Sequence, residues 1–374
     1  MSESILNVAV VGCGYWGPNL VRNFISLGDQ CAVKLLCDRD PERLEHMRRI
    51  YSGIRTTTEF DEVIEDKGID VVAVATPVRH HYPMARRCLE AGKHVFIEKP
   101  MARTGAECAD LVGLAERKGL TLMVGHTFIY SAPVRYTKEL IERDELGPIQ
   151  YIGSRRLNLG LFQHDINVAW DLSPHDLSII LYLLRSDPVT VNCQGVAHLN
   201  GQEDVISMAV RFADNSFATI QNSWIDPNKV REMTIVGTRK MVVYNDTEPN
   251  EKIRIYDKRV EAPPHYDTYA EFTFSYHYGD VVTPHILQTE PLKVECQHLL
   301  DCIRSGRKPI TGGPEGMKVV QILEAATHSL RHQGTAVRIL PDGACELVSD
   351  RDETRAKGRR RGRFDPSSPS PPRA

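Results

Sequence analysis

Several features that would settle the class of this chain at once are missing. Across 374 residues there is no apolar run of 18 or more, so no membrane-spanning helix is expected. There is no large excess of either charge: the formal net charge is −3, which gives no reason to expect nucleic acid or a membrane surface as a partner. Met1-Ser2-Glu3-Ser4 leads straight into an apolar strand without a signal-peptide pattern, and a cytoplasmic location is the expectation. The nine cysteines include no Cys-x-x-Cys pair, and Cys13, Cys31, Cys37 and Cys88 lie within apolar runs. These are marks of buried free thiols, not of a disulfide framework or a zinc site. The histidines, His80 and His81 included, lack metal-ligand spacing, so no metal is expected.

What is present is rhythm. Asn7 to Val11 reads as a short buried strand, followed by Gly12-Cys13-Gly14-Tyr15-Trp16-Gly17 and a helical segment from Pro18 to about Leu27. A second strand, Ala32 to Cys37, ends at Asp38. In Gly-x-Gly-x-x-Gly the glycines permit a tight turn and a close backbone approach, while the helix N-terminus offers free N–H groups to a pyrophosphate. An acid about twenty residues further on is placed to accept from an adenosine ribose. Asp38 favours NAD, because its carboxylate repels a 2′-phosphate; Arg39 beside it pulls toward NADP or simply covers the adenine.

Strands and helices continue to alternate. Ile69 to Ala75 is a buried strand ending in Thr76-Pro77, and His80 to Ala91 a helix stopped by Gly92. His94-Val95-Phe96-Ile97-Glu98-Lys99-Pro100 is a strand whose last residues are charged. A helix from Gly105 to Lys118 then leads to the strand Leu120 to Val124 and to Gly125-His126. This alternation predicts an α/β, doubly wound parallel sheet over residues 1–126, a Rossmann dinucleotide-binding domain. Ligands in such sheets bind beyond the carboxyl ends of the strands. The cofactor crevice is therefore expected at Gly12, Gly14, Tyr15, Trp16, Gly17, Asp38, Arg39, Thr76, Pro77, His80, Glu98, Lys99 and His126. Lys99 stands out: it ends an apolar strand beside that crevice, and Pro100 restricts its backbone.

After residue 127 the pattern changes. A helix from Pro133 to Arg143, a strand from Ile149 to Leu159 and an apolar helix from Leu177 to Leu184 are expected. Before that last helix stands Asp171-Leu172-Ser173-Pro174-His175, with Pro174 suited to a first helical turn. If the segment is helical, Asp171 and His175 share a face and can reach one substrate atom. The plainer alternative is that Asp171 caps the helix and His175 packs. Val205–Phe212, Phe217–Trp224, Met233–Val236 and Lys240–Tyr244 alternate as an antiparallel sheet with one face on helices, its other face calling for a second subunit. Helices near 291–305 and 316–333 and a strand near 336–340 close an α+β substrate and oligomerisation domain over residues 127–346. The basic, Ser/Pro-rich stretch 347–374, with Lys357 to Arg363 at its centre, has the composition of a disordered tail. Asn158, Gln163, Asp165 and Asn167 are polar residues able to bind hydroxyl groups or equally to lie solvated in a loop, and Arg155 and Arg156 can meet a phosphate or sit on a surface strand.

Gly12–Gly17, Asp38, Thr76-Pro77-x-x-His80, Ala91-Gly92-Lys93-His94-Val95-x-x-Glu98-Lys99-Pro100 and Asp171-x-x-x-His175 together resemble the Gfo/Idh/MocA oxidoreductase family over roughly residues 5–341. The resemblance implies an NAD(P)-binding first domain and an open-faced, mostly antiparallel sheet used to form a homo-oligomer, a dimer or a tetramer. It implies Lys99, Asp171 and His175 as the catalytic residues. Around Asn158–Leu184 and Phe272–Glu295 the chain is most similar to nucleotide-sugar 3-dehydrogenases, which implies NAD-dependent oxidation of a hexose C3 hydroxyl in amino- or deoxysugar synthesis. The alternatives are an NADPH-dependent keto-deoxysugar reductase, a free sugar or polyol dehydrogenase, and a non-catalytic dinucleotide sensor.

Overall fold

The apolar runs of the first third pair side by side, as buried β-branched segments between helices must. In the computed structural model, which describes residues 5–163, 165–261 and 274–348, the strands are β1 (Leu6–Val11), β2 (Cys31–Cys37), β3 (Arg55–Thr57), β4 (Val71–Val74), β5 (His94–Glu98) and β6 (Leu122–Gly125). Between them run α1 (Gly17–Ile25), α2 (Pro41–Ile50), α3 (Phe60–Glu65), α4 (His81–Glu90) and α5 (Gly105–Lys118). All pairings are parallel, in the order β3-β2-β1-β4-β5-β6. That order reverses between β1 and β4, the point where a doubly wound sheet opens its ligand crevice. Thr104 caps α5 by accepting from the Glu107 N–H, and Gly119, at φ +64°, ends it in a left-handed turn.

Strand register sets the site. Val11 is opposite Val74, Val74 opposite Ile97, and Glu98 opposite Gly125. The residues just beyond these pairs, Gly12, Ala75, Lys99 and His126, therefore come to one edge, although more than a hundred positions separate the first from the last.

The second half comprises α6 (Ala132–Glu142), β7 (Ile149–Leu159), α7 (Val168–Leu184), β8 (Pro188–Val196), β9 (Val205–Phe212), β10 (Phe217–Ser223), β11 (Ile225–Gly237), β12 (Met241–Asn245), β13 (Ile253–Glu261), β14 (Ser275–Val282), α8 (Pro291–Ser305), α9 (Gly313–Arg331), β15 (Val337–Ile339) and β16 (Cys345–Leu347). The strands form one sheet in the order β14-β13-β12-β11-β7-β10-β9-β8-β15-β16, antiparallel throughout except where β10 pairs with β7. Alternation sends Ile152, Met208, Val210, Ile220 and Ile235 onto Leu177, Ile180 and Leu323 of α7 and α9. At one end of the sheet β14 leaves Tyr276, Tyr278, Val281 and Val282 exposed.

Two findings depart from the expectations. First, α7 begins at Val168, capped by Asn167, so Pro174 lies inside the helix and not in its first turn, and Asp171 is not its cap. Second, the two domains share cores. Leu292, Cys296, Leu299 and Leu300 of α8 pack on Val8, Val10, Leu20 and Phe24, and Val320 of α9 joins Val95, Ile97 and Leu111. Residue 126 is thus a boundary in the chain but not in the packing. All nine cysteines are free and eight are buried. The tail from 349 lies outside the described residues.

Candidate active site

A cradle for a dinucleotide is built into the backbone at the end of β1. A Cβ on Gly12 (φ +97°) would stand 2.5 Å from the Ala75 carbonyl oxygen, and one on Gly17 1.8 Å from the Gly12 carbonyl oxygen. These two glycines are needed for close packing of strand, turn and helix. A Cβ on Gly14 would meet only the tip of the Arg43 side chain, at 3.3 Å, so this face is open to a ligand. The N–H groups of Gly14, Tyr15 and Trp16 donate to nothing among the described residues, and they face outward at the start of α1. Open approach, free donors and a helix N-terminus together fit a pyrophosphate.

Asp38 is buried and already engaged. Its Oδ2 accepts from the Cys13 N–H at 2.6 Å and its Oδ1 from the Asp40 N–H at 2.9 Å, which ties the glycine loop to the end of β2. Each oxygen keeps one lone pair for a ribose hydroxyl. Arg39 is exposed, and the arginine brought to Asp38 is Arg43, 3.7 Å from Oδ2 and 3.2 Å from Asp40. Along the β4 exit, Thr76 and Pro77 face the crevice edge, and His80 is half-buried with Arg79 donating to its Nε2. His81, which was not singled out in the sequence, is the buried histidine here: its ring nitrogens contact the Thr76 and Pro100 carbonyls at 2.7 and 2.8 Å, joining the exits of β4 and β5.

Lys99 meets Asp171 from the other domain. Its Nζ donates to the Asp171 carbonyl at 2.9 Å and lies 3.6 Å from Asp171 Oδ1. The Lys99–Pro100 bond is cis. The second carboxylate oxygen, Oδ2, accepts from Trp224 Nε1 at 3.1 Å. Asp171 is therefore held by β10's exit and holds Lys99; among the described residues no side-chain hydrogen bond links it to His175. His175 follows one turn later on the same face of α7. Its Nδ1 is buried without a partner, and its ring packs edge-on against Phe128 at 4.9 Å. Burial, then the Lys99 ammonium, then Arg156, hold the imidazole well below its ordinary pKa. It is neutral at physiological pH and able to take a proton.

Beneath Lys99 lies a pocket of unsatisfied polar atoms. Both ring nitrogens of His126 and Glu295 Oε1 are buried without partners, and the Trp16 indole N–H and Glu98 are buried close enough to interact without a well-formed hydrogen bond. Glu98 packs over Gly125, where a Cβ would stand 2.9 Å from Oε1. Burial pushes its carboxyl up to about 7, against the pull of Lys99. Glu295 arrives from α8, accepts from Thr127 Oγ1 at 2.7 Å, and is raised well above the carboxyl range by burial and by Glu98. Burial and Lys99 lower His126 to about 3. Nothing local marks Glu295 beyond its being a charged residue on an amphipathic helix.

The residues proposed for a sugar divide by strand face and helix end. Arg155 points away from Arg156 and pairs with Glu232 at 2.6 Å in an exposed ion pair. Arg156 is buried in a bidentate pair with Asp176, at 3.0 to 3.2 Å, and its guanidinium stacks over Phe128 at 4.7 Å. Neither guanidinium is left free for a diphosphate. Asn158 lies beside Gly160 near Trp224, half-buried. Asn167 caps α7 and donates to Glu203 at 2.8 Å. Asp165 pairs with Arg79 at 3.1 Å, and the Gln163 carbonyl accepts from Asn200.

Comparison with known proteins agrees with this architecture. The family model described as "Oxidoreductase family, NAD-binding Rossmann fold" matches residues 6–126, and the Gfo/Idh/MocA C-terminal domain model matches residues 134–243. The 2,7-anhydro-N-acetylneuraminate hydratase of Escherichia coli is 29% identical over 58% of this chain, which spans 61% of that relative. The scyllo-inositol 2-dehydrogenase of Bacillus subtilis is 25% identical over 88% of this chain and 95% of its own. UDP-N-acetylglucosamine 3-dehydrogenase of Acidithiobacillus ferrooxidans is 25% identical over 62% of this chain and 71% of its own. A solved structure of that name superposes with a TM-score of 0.74 over 88% of this chain and 99% of the other, at 21% identity. With both domain models matched in order, this chain belongs to the Gfo/Idh/MocA oxidoreductase family.

Proposed function

We propose that the chain is an NAD-dependent dehydrogenase of a sugar hydroxyl, with C3 of a nucleotide-activated hexose as its substrate position. The reading rests on one observation above all. Lys99 Nζ, 2.9 Å from the Asp171 carbonyl, is fixed at the mouth of the glycine cradle with His175 one helical turn further along. NAD, when held by Gly12–Gly17 and Asp38, supplies the acceptor for the hydride of the oxidised carbon.

The remaining work falls to the chain's own side chains. His175, neutral in its buried setting, accepts the hydroxyl proton, a role worth about 10²- to 10⁴-fold. Lys99 donates to the same oxygen and stabilises its developing negative charge. The ammonium that disfavours an imidazolium at His175 is the one that favours an alkoxide between them. Asp171, anchored by Trp224, keeps Lys99 aimed.

A free polyol is the second reading, favoured by the likeness to scyllo-inositol 2-dehydrogenase across nearly the whole chain. Absorbance at 340 nm with NAD and a panel of UDP- and dTDP-hexoses, free hexoses and inositols separates the two. NADH formed fastest with a nucleotide sugar supports the first reading, and formed only with free polyols replaces it with the second. Sugar consumed without NADH would mean a redox-neutral reaction of the kind the hydratase relative's name describes.

A further inference from the structure

A cavity of about 570 Å³, in a size range that holds small ligands, has Trp170 in its lining and none of Lys99, Asp171 and His175. Its walls come from five separated pieces of chain: the turn at Val78–Arg79, the loop at Arg103–Thr104, the start of α7 with the residues before it, Gln202, and the face of α9 carrying Glu324, Thr327, His328 and Arg331. Three arginines thus line one space. Arg79 is neutralised by Asp165 at 3.1 Å. The guanidinium groups of Arg103 and Arg331 make no hydrogen bond or ion pair among the described residues. His328 Nδ1 is buried there without a partner. The remaining acid, Glu324, is committed to the Gly105 N–H at 2.7 Å, and burial raises its pKa above the ordinary carboxyl range. Thr327 Oγ1 is spent on Trp170 Nε1 and the Leu323 carbonyl. Apart from the Gln202 amide, what is left uncommitted is two guanidiniums and an imidazole nitrogen.

We propose that this cavity is a binding site for a phosphate or diphosphate group, carried by the substrate as its nucleotidyl tail. Two planar guanidiniums with free forks match phosphate oxygens in bidentate fashion. Trp170, the wall of the cavity, immediately precedes Asp171, and Arg79 stands two residues past Pro77, so the cavity and the crevice share two walls. The site itself stands on the cavity and its arginines; only the assignment of the phosphate to the substrate rests on the dehydrogenase reading.

Calorimetric titration of the NAD-saturated full chain with inorganic pyrophosphate, so that the glycine cradle is already filled, tests the site. Binding should weaken at least about tenfold in the R103Q/R331Q double variant, the loss of two charge-assisted contacts, and should fall with added salt. NAD affinity should be retained in that variant, since neither arginine lines the glycine loop, and this serves as the folding control. Absence of pyrophosphate binding, or equal binding in both proteins, overturns the proposal. The source of the phosphate is read separately. Competitive inhibition of UDP-hexose turnover by pyrophosphate supports the tail, and non-competitive inhibition overturns the tail while keeping the site for a free anion. If no sugar is oxidised at all, the dehydrogenase reading fails, yet the calorimetry still decides the anion site.

Discussion

The two halves of the crevice are made of different material. The half proposed to hold the cofactor is backbone: glycines without room for a Cβ, free N–H groups and a carboxylate tied to main-chain donors. The half proposed to react is side chains: Lys99, Asp171, Trp224 and His175, assembled from the ends of β5 and β10 and from α7. The contrast teaches where damage should appear. Injury to the backbone half acts by steric clash and should be read in NAD affinity. Injury to the side-chain half removes chemistry and should be read in kcat.

Lys99→Ala should show the largest effect, a fall in kcat of about 10²- to 10³-fold with NAD affinity retained, as expected when a donor to a developing oxyanion is lost. Steady-state rates and fluorescence titration with NAD check both parts; a loss confined to NAD affinity would move Lys99 to the other half. Next comes Gly17→Ala. Its Cβ, placed 1.8 Å from the Gly12 oxygen, must displace the loop, weakening NAD by about 10²-fold and costing roughly 1–3 kcal/mol of stability. Unaltered NAD binding in a folded variant would show that the loop is not a tight cradle.

Glu295→Gln probes the floor on which the halves meet. Glu98, raised to about 7, keeps a proton in the folded state that the unfolded chain has already released. Stability from this group is present at low pH and is lost as pH rises from the ordinary carboxyl range through about 7. Glu295 carries the same sign, being raised well above its ordinary value. The neutral amide at 295 removes one of these groups and relieves the other. The variant should therefore gain about 1–3 kcal/mol on the parent between pH 5 and pH 8, read from denaturant melts at each pH. A gap independent of pH would mean that the two carboxyls do not hold a proton. The smallest effect is expected from Trp224→Phe. It deletes the 3.1 Å bond to Asp171 Oδ2, worth about 1 kcal/mol, and should slow kcat several-fold without changing NAD affinity.

The backbone half was the more legible in the sequence. Gly-x-Gly-x-x-Gly, the buried strand Val71–Val74 and the run ending at Glu98-Lys99 carry local signals, and parallel register does the rest. Of the side-chain half, Lys99 is marked by its strand end and Asp171 and His175 by their spacing, and the family resemblance groups the three. Trp224 and Phe128 lie far off in sequence, and nothing local couples them. The contact of Lys99 with Asp171, 72 positions away, is set by the fold. Arg155 and Arg156 looked equivalent as sequence, yet strand alternation sends one to an exposed pair and buries the other against Asp176. β14 has no buried face, so no hydrophobic period marked it. The start of α7 was misplaced because Pro174 reads as a first-turn residue, whereas the Asn167 cap sets the true beginning.

The most direct test is the pair of numbers obtained from one preparation of His175→Ala: its rate of NADH formation at 340 nm with the best nucleotide sugar, and its dissociation constant for NAD. A kcat reduced by at least about 10²-fold with NAD binding within about twofold of the parent is the predicted result. Turnover near that of the parent would contradict it, and would remove His175 as the base that takes the sugar's proton.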